Sequence, residues 1–248
     1  MSLPFDLVVF DMSGTTVKDQ NEVMESFLEA ATHYDLNTDP THLNTMMGWS
    51  KIEVFRKLWT EKLGEGHPEI EIRAQKALQV FKKHLRAWYD TNPAQPNPGV
   101  EEVFDWLKKN KVKIALTTGF YREVTNQILQ QLGWDIGLDS NHMGNEASII
   151  SVSISSDEVE HGRPEPDMLL KAMRMLGVKD PKRVIKVGDT PADLIAGHKA
   201  GVLLNIGITS GTHTEAELSA YPNDGFVFTL SQLKSFVAQK LSLESVEF

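Results

Sequence analysis

The stretch LVVFDMSGTTV, Leu7–Val17, decides how this chain is read. The apolar run over residues 5–10 suits a buried parallel strand, which is covered on both faces and needs no polar alternation. The run stops at Asp11, and a small, polar, glycine-containing turn follows. An aspartate at a strand end is often only a turn-former. It becomes a functional candidate when other strand ends bring complementary groups to the same edge.

Downstream, Val23, Phe27 and Ala31 recur every four residues, with Met24 and Leu28 beside them, which predicts an amphipathic helix. Further helical patterns cover about 51–63 and 71–89. No second strand is legible before about residue 90. DTNPAQPNPGV, residues 90–100, then marks a boundary with three prolines and Gly99. Beyond it, strands and helices alternate. KVKIALTTG (111–119) is a strand ending in hydroxyls, and Val124, Ile128, Leu129 and Leu132 form a helix that stops at Gly133. SIISVSI (148–154) is strand-like, and Leu169, Met173 and Leu176 lie on a helix closed by Gly177. RVIKVGDT (183–190) is a strand. Pro191 to Ala200 is a helix with proline at its start and Gly201 past its end. VLLNIGI (202–208) and SQLKSFVAQKL (231–241) add a strand and a closing helix.

This alternation predicts an α/β fold with a doubly wound parallel sheet. The helical block interrupts it after the first strand. The expected organisation is a core from residues 1–16 and 97–248, with an inserted α-helical cap over 17–96.

Composition narrows the function classes. The 248 residues are 41% hydrophobic and 24% charged, as in an ordinary globular protein. A net charge of −9 disfavours nucleic acid or an anionic membrane as the main partner. There is no cysteine, which excludes disulfides, thiolate zinc sites and a cysteine nucleophile. No apolar stretch approaches the roughly 18 residues that span a bilayer. MSLPFDLVVFD lacks the basic region and cleavage site of a signal peptide, so a cytoplasmic location is expected.

In an open α/β sheet, ligands bind outside the carboxyl ends of the strands. The first predicted strand ends at Asp11 and the second at Thr117, Thr118 and Gly119. The third leads through Ser155, Ser156 and Asp157 to HGRPEP, and the fourth ends at Gly188, Asp189 and Thr190, with Asp193 just beyond. Each piece alone has an ordinary explanation; Thr190, for example, is a good helix N-cap. Together they supply carboxylates, hydroxyls, amides and one guanidinium to one edge. That set suits a phosphoryl group beside Mg2+, which prefers oxygen ligands and one or two carboxylates. Asp11 and Asp189 are the natural carboxylates. Thr118, Gly119 and the turn Ser13-Gly14-Thr15 are candidates for phosphate oxygens, and Arg163 would offset their charge.

With these residues in place, the sequence resembles the haloacid dehalogenase superfamily of aspartate-nucleophile hydrolases. Within it, the chain is similar to the phosphonoacetaldehyde hydrolase (phosphonatase) branch. FDMSGTTV, ALTTG and VGDTPAD match three superfamily motifs. The resemblance implies a Rossmann-like core, Asp11 as nucleophile, and magnesium bound by Asp11, Asp189 and the Ser13 carbonyl with support from Asp193. It also implies a homodimer formed through the cap. Most phosphatases of the superfamily carry a second aspartate where this chain has Ser13; phosphonatases carry a small residue there. Arg163 in GRPEP resembles their GRP. MMGWSKIEVFRKL, residues 46–58, resembles their cap segment, whose lysine forms a Schiff base and falls here on Lys51. Gly48 would let that loop approach the core closely.

The chemistry is coherent. A carbon–phosphorus bond has no good leaving group, and a protonated imine provides an electron sink. A desolvated pocket can lower a lysine pKa from ~10.4 towards neutrality so that it attacks a carbonyl. Two positions depart from the branch: Val54 stands where it has histidine, and Phe120 where it has tyrosine. The resemblance implies a small phosphonate metabolite such as phosphonoacetaldehyde as partner, and the two departures leave open a different 2-oxo-phosphonate or a phosphate ester. The alternatives are a phosphomonoesterase without imine chemistry and a non-catalytic phosphate-metabolite sensor. His161 is a further candidate beside Arg163. Residues 137–148, GLDSNHMGNEAS, have no functional reading.

Overall fold

A computed structural model describes residues 3–242. Its centre is a six-stranded, all-parallel sheet in the order β3-β2-β1-β4-β5-β6. The strands are β1 (Leu7–Asp11), β2 (Lys113–Thr118), β3 (Val152–Ser155), β4 (Val184–Gly188), β5 (Leu204–Ile208) and β6 (Gly225–Val227). From β1 the chain winds outward through β2 to β3, then returns to the other side of β1 as β4. The reversal lies between β1 and β4, where Phe10 pairs with Val187. Such a switch point opens a crevice at the carboxyl ends of the strands.

The strands are buried because helices cover both faces. On one face Leu7 and Val9 pack with Met168, Leu169 and Ala172 of α7 (Asp167–Met175). On the other, Val8 and Phe10 join Phe104 of α5 (Val100–Lys109), with the Phe10 and Phe104 rings 5.5 Å apart. Helix α6 (Arg122–Leu132) follows β2, and α8 (Pro191–Ala200) follows β4. Short α9 (Glu215–Leu218) and terminal α10 (Leu233–Lys240) complete this half.

Between β1 and β2 stand α1 (Glu22–His33), α2 (Pro40–Asn44), α3 (Lys51–Leu63) and α4 (Ile70–Thr91). Their apolar faces meet around Phe27, Phe55 and Phe81, whose rings lie 4.6–6.0 Å apart. Burying each such ring stabilises by roughly 1.5–3 kcal/mol. Two connecting segments run side by side, with the Lys18 amide donating to the Gln95 carbonyl and the Asn97 amide to the Thr16 carbonyl, both at 2.9 Å.

Some boundaries differ from the sequence expectation. β1 is shifted to include Asp11 itself, and β3 begins only at Val152. Ile149 and Ile150 fall outside β3. The segment 137–148 forms a hairpin-like turn, with bridges Leu138–Gly144 and Met143–Val152 and Asp139 accepting from the Asn141 and Met143 amides. Helices α2, α5 and α9 and strand β6 carried no clear signal. The three-residue β6 is too short to establish a period. No helix among the described residues is long and apolar enough to cross a membrane.

Candidate active site

Four elements meet at the carboxyl edge of the sheet. β1 delivers Asp11, β2 ends at Thr118, the loop before α7 brings Arg163, and the β4–α8 turn supplies Asp189 and Asp193. The α8 N-terminus forms as the sequence predicts. Thr190 accepts from the Asp193 amide, Pro191 fills the first turn, and Gly201 closes the helix at φ 71°. This cap fixes Asp193 one turn into the helix, facing β1.

Asp11, Asp189 and Asp193 each offer a carboxylate oxygen within 4.8 Å of the others, and all are buried. Asp193 is fully paired: Arg163 binds it, Lys186 Nζ lies 2.7 Å away, and the Thr190 hydroxyl donates at 2.6 Å. Burial alone would raise its carboxyl, but Arg163 and Lys186 hold it down at about 2. The same Arg163 guanidinium reaches Asp11 at 2.6 Å. Burial nonetheless leaves the Asp11 carboxyl above its ordinary value. Asp189 has no cation at ion-pair distance among the described residues. It accepts from the Thr15 hydroxyl at 3.0 Å and the Thr212 amide at 2.8 Å. Burial, reinforced by Asp11 and Asp193, pushes its carboxyl up to about 8.

This charge pattern fits a hard divalent cation. Asp11 and Asp189 are close, oxygen-only donors, and the elevated Asp189 carboxyl is what an unneutralised carboxylate cluster produces. Asp193, already saturated by two cations, orients the set.

The edge opens into a cavity of about 270 Å³. Asp11, Ser13, Gly48, Lys51, Thr118, Gly119 and Arg163 all line it. Gly14 and Thr15 do not: they pack against Asp189, and a Cβ on Gly14 would stand 2.1 Å from Asp189 Oδ2. His161 is also absent from the lining. It is exposed and faces Asp167. The Gly48 loop reaches the core as the sequence reading expects. With φ at +83°, an added Cβ there would lie 2.3 Å from Thr190 Oγ1.

Lys51, the first residue of α3, is only 5% exposed. Its Nζ lies 5.4 Å from the Phe27 ring centre and 5.3 Å from that of Phe120. No carboxylate or carbonyl among the described residues hydrogen-bonds to it. Burial, reinforced by the Arg163 charge and opposed by Asp11, Glu22 and Asp19, pushes its pKa down to about 8. Roughly a tenth of such amines are neutral at pH 7.

Sequence reasoning missed three features. Lys186 left a signal, because a lysine inside the buried run VIKVG needs a partner. Thr212, on the loop after β5, left none. Nor did Glu22, which accepts from Tyr89 at 2.7 Å across a separation of 67 residues and from the nearer Ser13 at 3.4 Å.

A family model of haloacid dehalogenase-like hydrolases matches residues 5–201. A phosphonoacetaldehyde hydrolase of Bacillus cytotoxicus is 27% identical over 256 aligned positions, covering 98% of this chain and 90% of its own. A pyrophosphatase, PpaX, of Halalkalibacterium halodurans is 28% identical over 201, covering 81% and 82%. Among solved structures, a phosphonoacetaldehyde hydrolase like protein from Oleispira antarctica superposes with a TM-score of 0.77 at 19% identity, covering 96% of this chain and 93% of its own. With 197 of its 248 residues inside that match and the buried aspartates gathered at the sheet edge, this chain belongs to the haloacid dehalogenase-like hydrolases.

Proposed function

We propose that this hydrolase cleaves the carbon–phosphorus bond of a 2-oxo-phosphonate, using Asp11 as nucleophile and Lys51 as Schiff-base amine. The observation that carries the reading is the Lys51 amine: buried, without a hydrogen-bond partner among the described residues, and in the same cavity as Asp11. An exposed lysine serves solubility, whereas one held beside a carboxylate nucleophile with its pKa near 8 is equipped to attack a carbonyl. Relatives named phosphonoacetaldehyde hydrolase support the same direction.

The steps balance. The neutral Lys51 amine adds to the carbonyl and water leaves, giving a protonated imine. An Asp11 carboxylate oxygen attacks phosphorus. The carbon–phosphorus bond breaks, and its electron pair moves into the imine to give an enamine on Lys51. Water hydrolyses the aspartyl phosphate and restores Asp11. The enamine takes a proton on carbon, and a second water releases the carbonyl product and frees Lys51. The net change consumes one water and yields phosphate and a dephosphonylated carbonyl compound. Arg163 holds Asp11 in line, and the Thr118 hydroxyl and Gly119 amide receive phosphoryl oxygens. When bound at Asp11 and Asp189, magnesium neutralises charge on the transferring group. Ser13 need not be an acid, because the leaving carbon is stabilised from Lys51. Helices α1 to α4 act as the cap that keeps the cavity dry.

The test is phosphate release from phosphonoacetaldehyde with magnesium. Lys51→Ala is expected to reduce it at least ~10³-fold. Wild-type rates in that variant would refute the imine. One observation favours a phosphomonoesterase instead: Val54 occupies the branch's histidine position, and no histidine among the described residues lines the cavity. Under that reading Asp11 remains essential and Lys51 becomes dispensable.

A further inference from the structure

The cavity has a wall that the reaction above does not use. Asp11, Thr118 and Arg163 form its phosphoryl side, and Lys51 between Phe27 and Phe120 forms its carbonyl side. Further polar lining comes from Ser13, Asn21 and Thr190 and, on the wall considered next, from Asp19, Asn44 and Thr212. Asp19 lies in the segment leading into α1, Asn44 ends α2, and Thr212 lies on the loop after β5. Three separate elements therefore converge there.

We propose that the substrate is a 2-oxo-phosphonate bearing a cationic amino group on the carbon beyond the carbonyl, and that Asp19 receives this group. The inference rests on the carbon–phosphorus reading above and extends it. Asp19 Oδ1 accepts from the Asn21 amide at 2.8 Å, and Oδ2 takes a long contact of 3.4 Å from the Thr212 hydroxyl. Each oxygen retains acceptor capacity, and no cation among the described residues pairs with the carboxylate. The Asn44 side-chain amide likewise has no partner among the described residues and can accept through its carbonyl. Asp19 is half-buried at the cavity wall, so an arriving cation can pair with it without displacing a resident cation.

The resident cations are already engaged. Arg163 is shared by Asp11 and Asp193, Lys186 is bound to Asp193, and Lys51 must be neutral to react. Asp19 lines the same cavity as Lys51, so a substrate held on Lys51 can present a cationic group to it.

The experiment compares kcat/KM for aminoacetonylphosphonate, hydroxyacetonylphosphonate, acetonylphosphonate and phosphonoacetaldehyde, with magnesium present. Each is also trapped with borohydride. The amino compound is expected to exceed acetonylphosphonate at least about tenfold, mainly through KM. Asp19→Asn removes the charge and keeps the shape. It is expected to collapse that ratio to within about threefold, whereas Asn44→Ala weakens it less. Equal wild-type kcat/KM for the amino and methyl compounds overturns the proposal, even if Asp19→Asn fails to fold. So does a preference for the hydroxyl compound over the amino one. If acetonylphosphonate traps on Lys51 and no amino preference appears, only this inference falls. If no ketone or aldehyde traps and phosphate esters are hydrolysed, the carbon–phosphorus reading falls and this inference with it.

Discussion

The sheet edge and the helices inserted after β1 handle buried charge in opposite ways. At the edge, Asp193 is surrounded by Arg163, Lys186 and Thr190, and its carboxyl is held at about 2. On α3, Lys51 is also buried but faces two aromatic rings and, among the described residues, no hydrogen-bond partner, and its pKa falls to about 8. A saturated charge is structure: it fixes geometry and resists titration. An unsaturated one is unfavourable to folding and available for chemistry. The proposed mechanism uses this contrast, with Asp193 as orienting group and Lys51 as reacting amine.

The strongest way to break this contrast is at the shared cation. Arg163→Met leaves Asp11 without its ion pair and Asp193 with Lys186 alone. It should destabilise by about 3–5 kcal/mol in urea unfolding and eliminate turnover. Lys186→Met should cost less, because Arg163 still holds Asp193. Equal effects would show that the pair does not work through Arg163.

Lys51→Met should do the reverse, losing turnover of carbonyl phosphonates while gaining stability. The sign follows from linkage. The folded pKa lies below the unfolded value of 10.5, so the unfolded chain binds more protons between about pH 8 and 10.5. Stability from this group therefore rises with pH across that window, and its cost is fully present below it. At pH 7 the methionine variant should gain about 3 kcal/mol, from a shift of 10.5 to about 8 at 1.36 kcal/mol per unit, and the gain should vanish above pH 10.5. A variant no more stable at pH 7 would contradict the unpaired amine. In the wild type, kcat/KM should climb as pH rises towards 8, following the neutral amine.

A smaller effect distinguishes Asp189 from Asp193. Its carboxyl, raised to about 8, should be relieved by a divalent cation. Magnesium at ~100 Kd should add about 2.7 kcal/mol to unfolding stability. Asp189→Asn should abolish that increment. Retention of the full increment would place the metal elsewhere. The smallest change is Gly48→Ala, where φ +83° and the 2.3 Å approach to Thr190 Oγ1 predict a loss of about 1–2 kcal/mol and a weakened kcat/KM.

Much of this was legible in the sequence because local chemistry carried it. The run into Asp11, the Thr190-Pro191 start of α8 and the Gly133 and Gly201 stops are local signals, and each element formed within a residue or two. The cavity brought Asp11, Lys51, Thr118 and Arg163 together. What stayed hidden depends on distant contacts. Glu22 meets Tyr89 across the inserted helices, and Thr212 meets Asp189 through a loop without a motif. Gly14 and Thr15 looked like phosphate ligands because their turn follows the nucleophile. In the fold they pack against Asp189 rather than lining the cavity, a contact across 174 residues that no local motif announces.

The most direct measurement is borohydride reduction of the magnesium-loaded enzyme during turnover of phosphonoacetaldehyde, followed by peptide mass spectrometry. The expected result is loss of activity with one reduced two-carbon adduct on Lys51. Undiminished phosphate release, with the Lys51 peptide at its native mass, would contradict a Schiff-base mechanism.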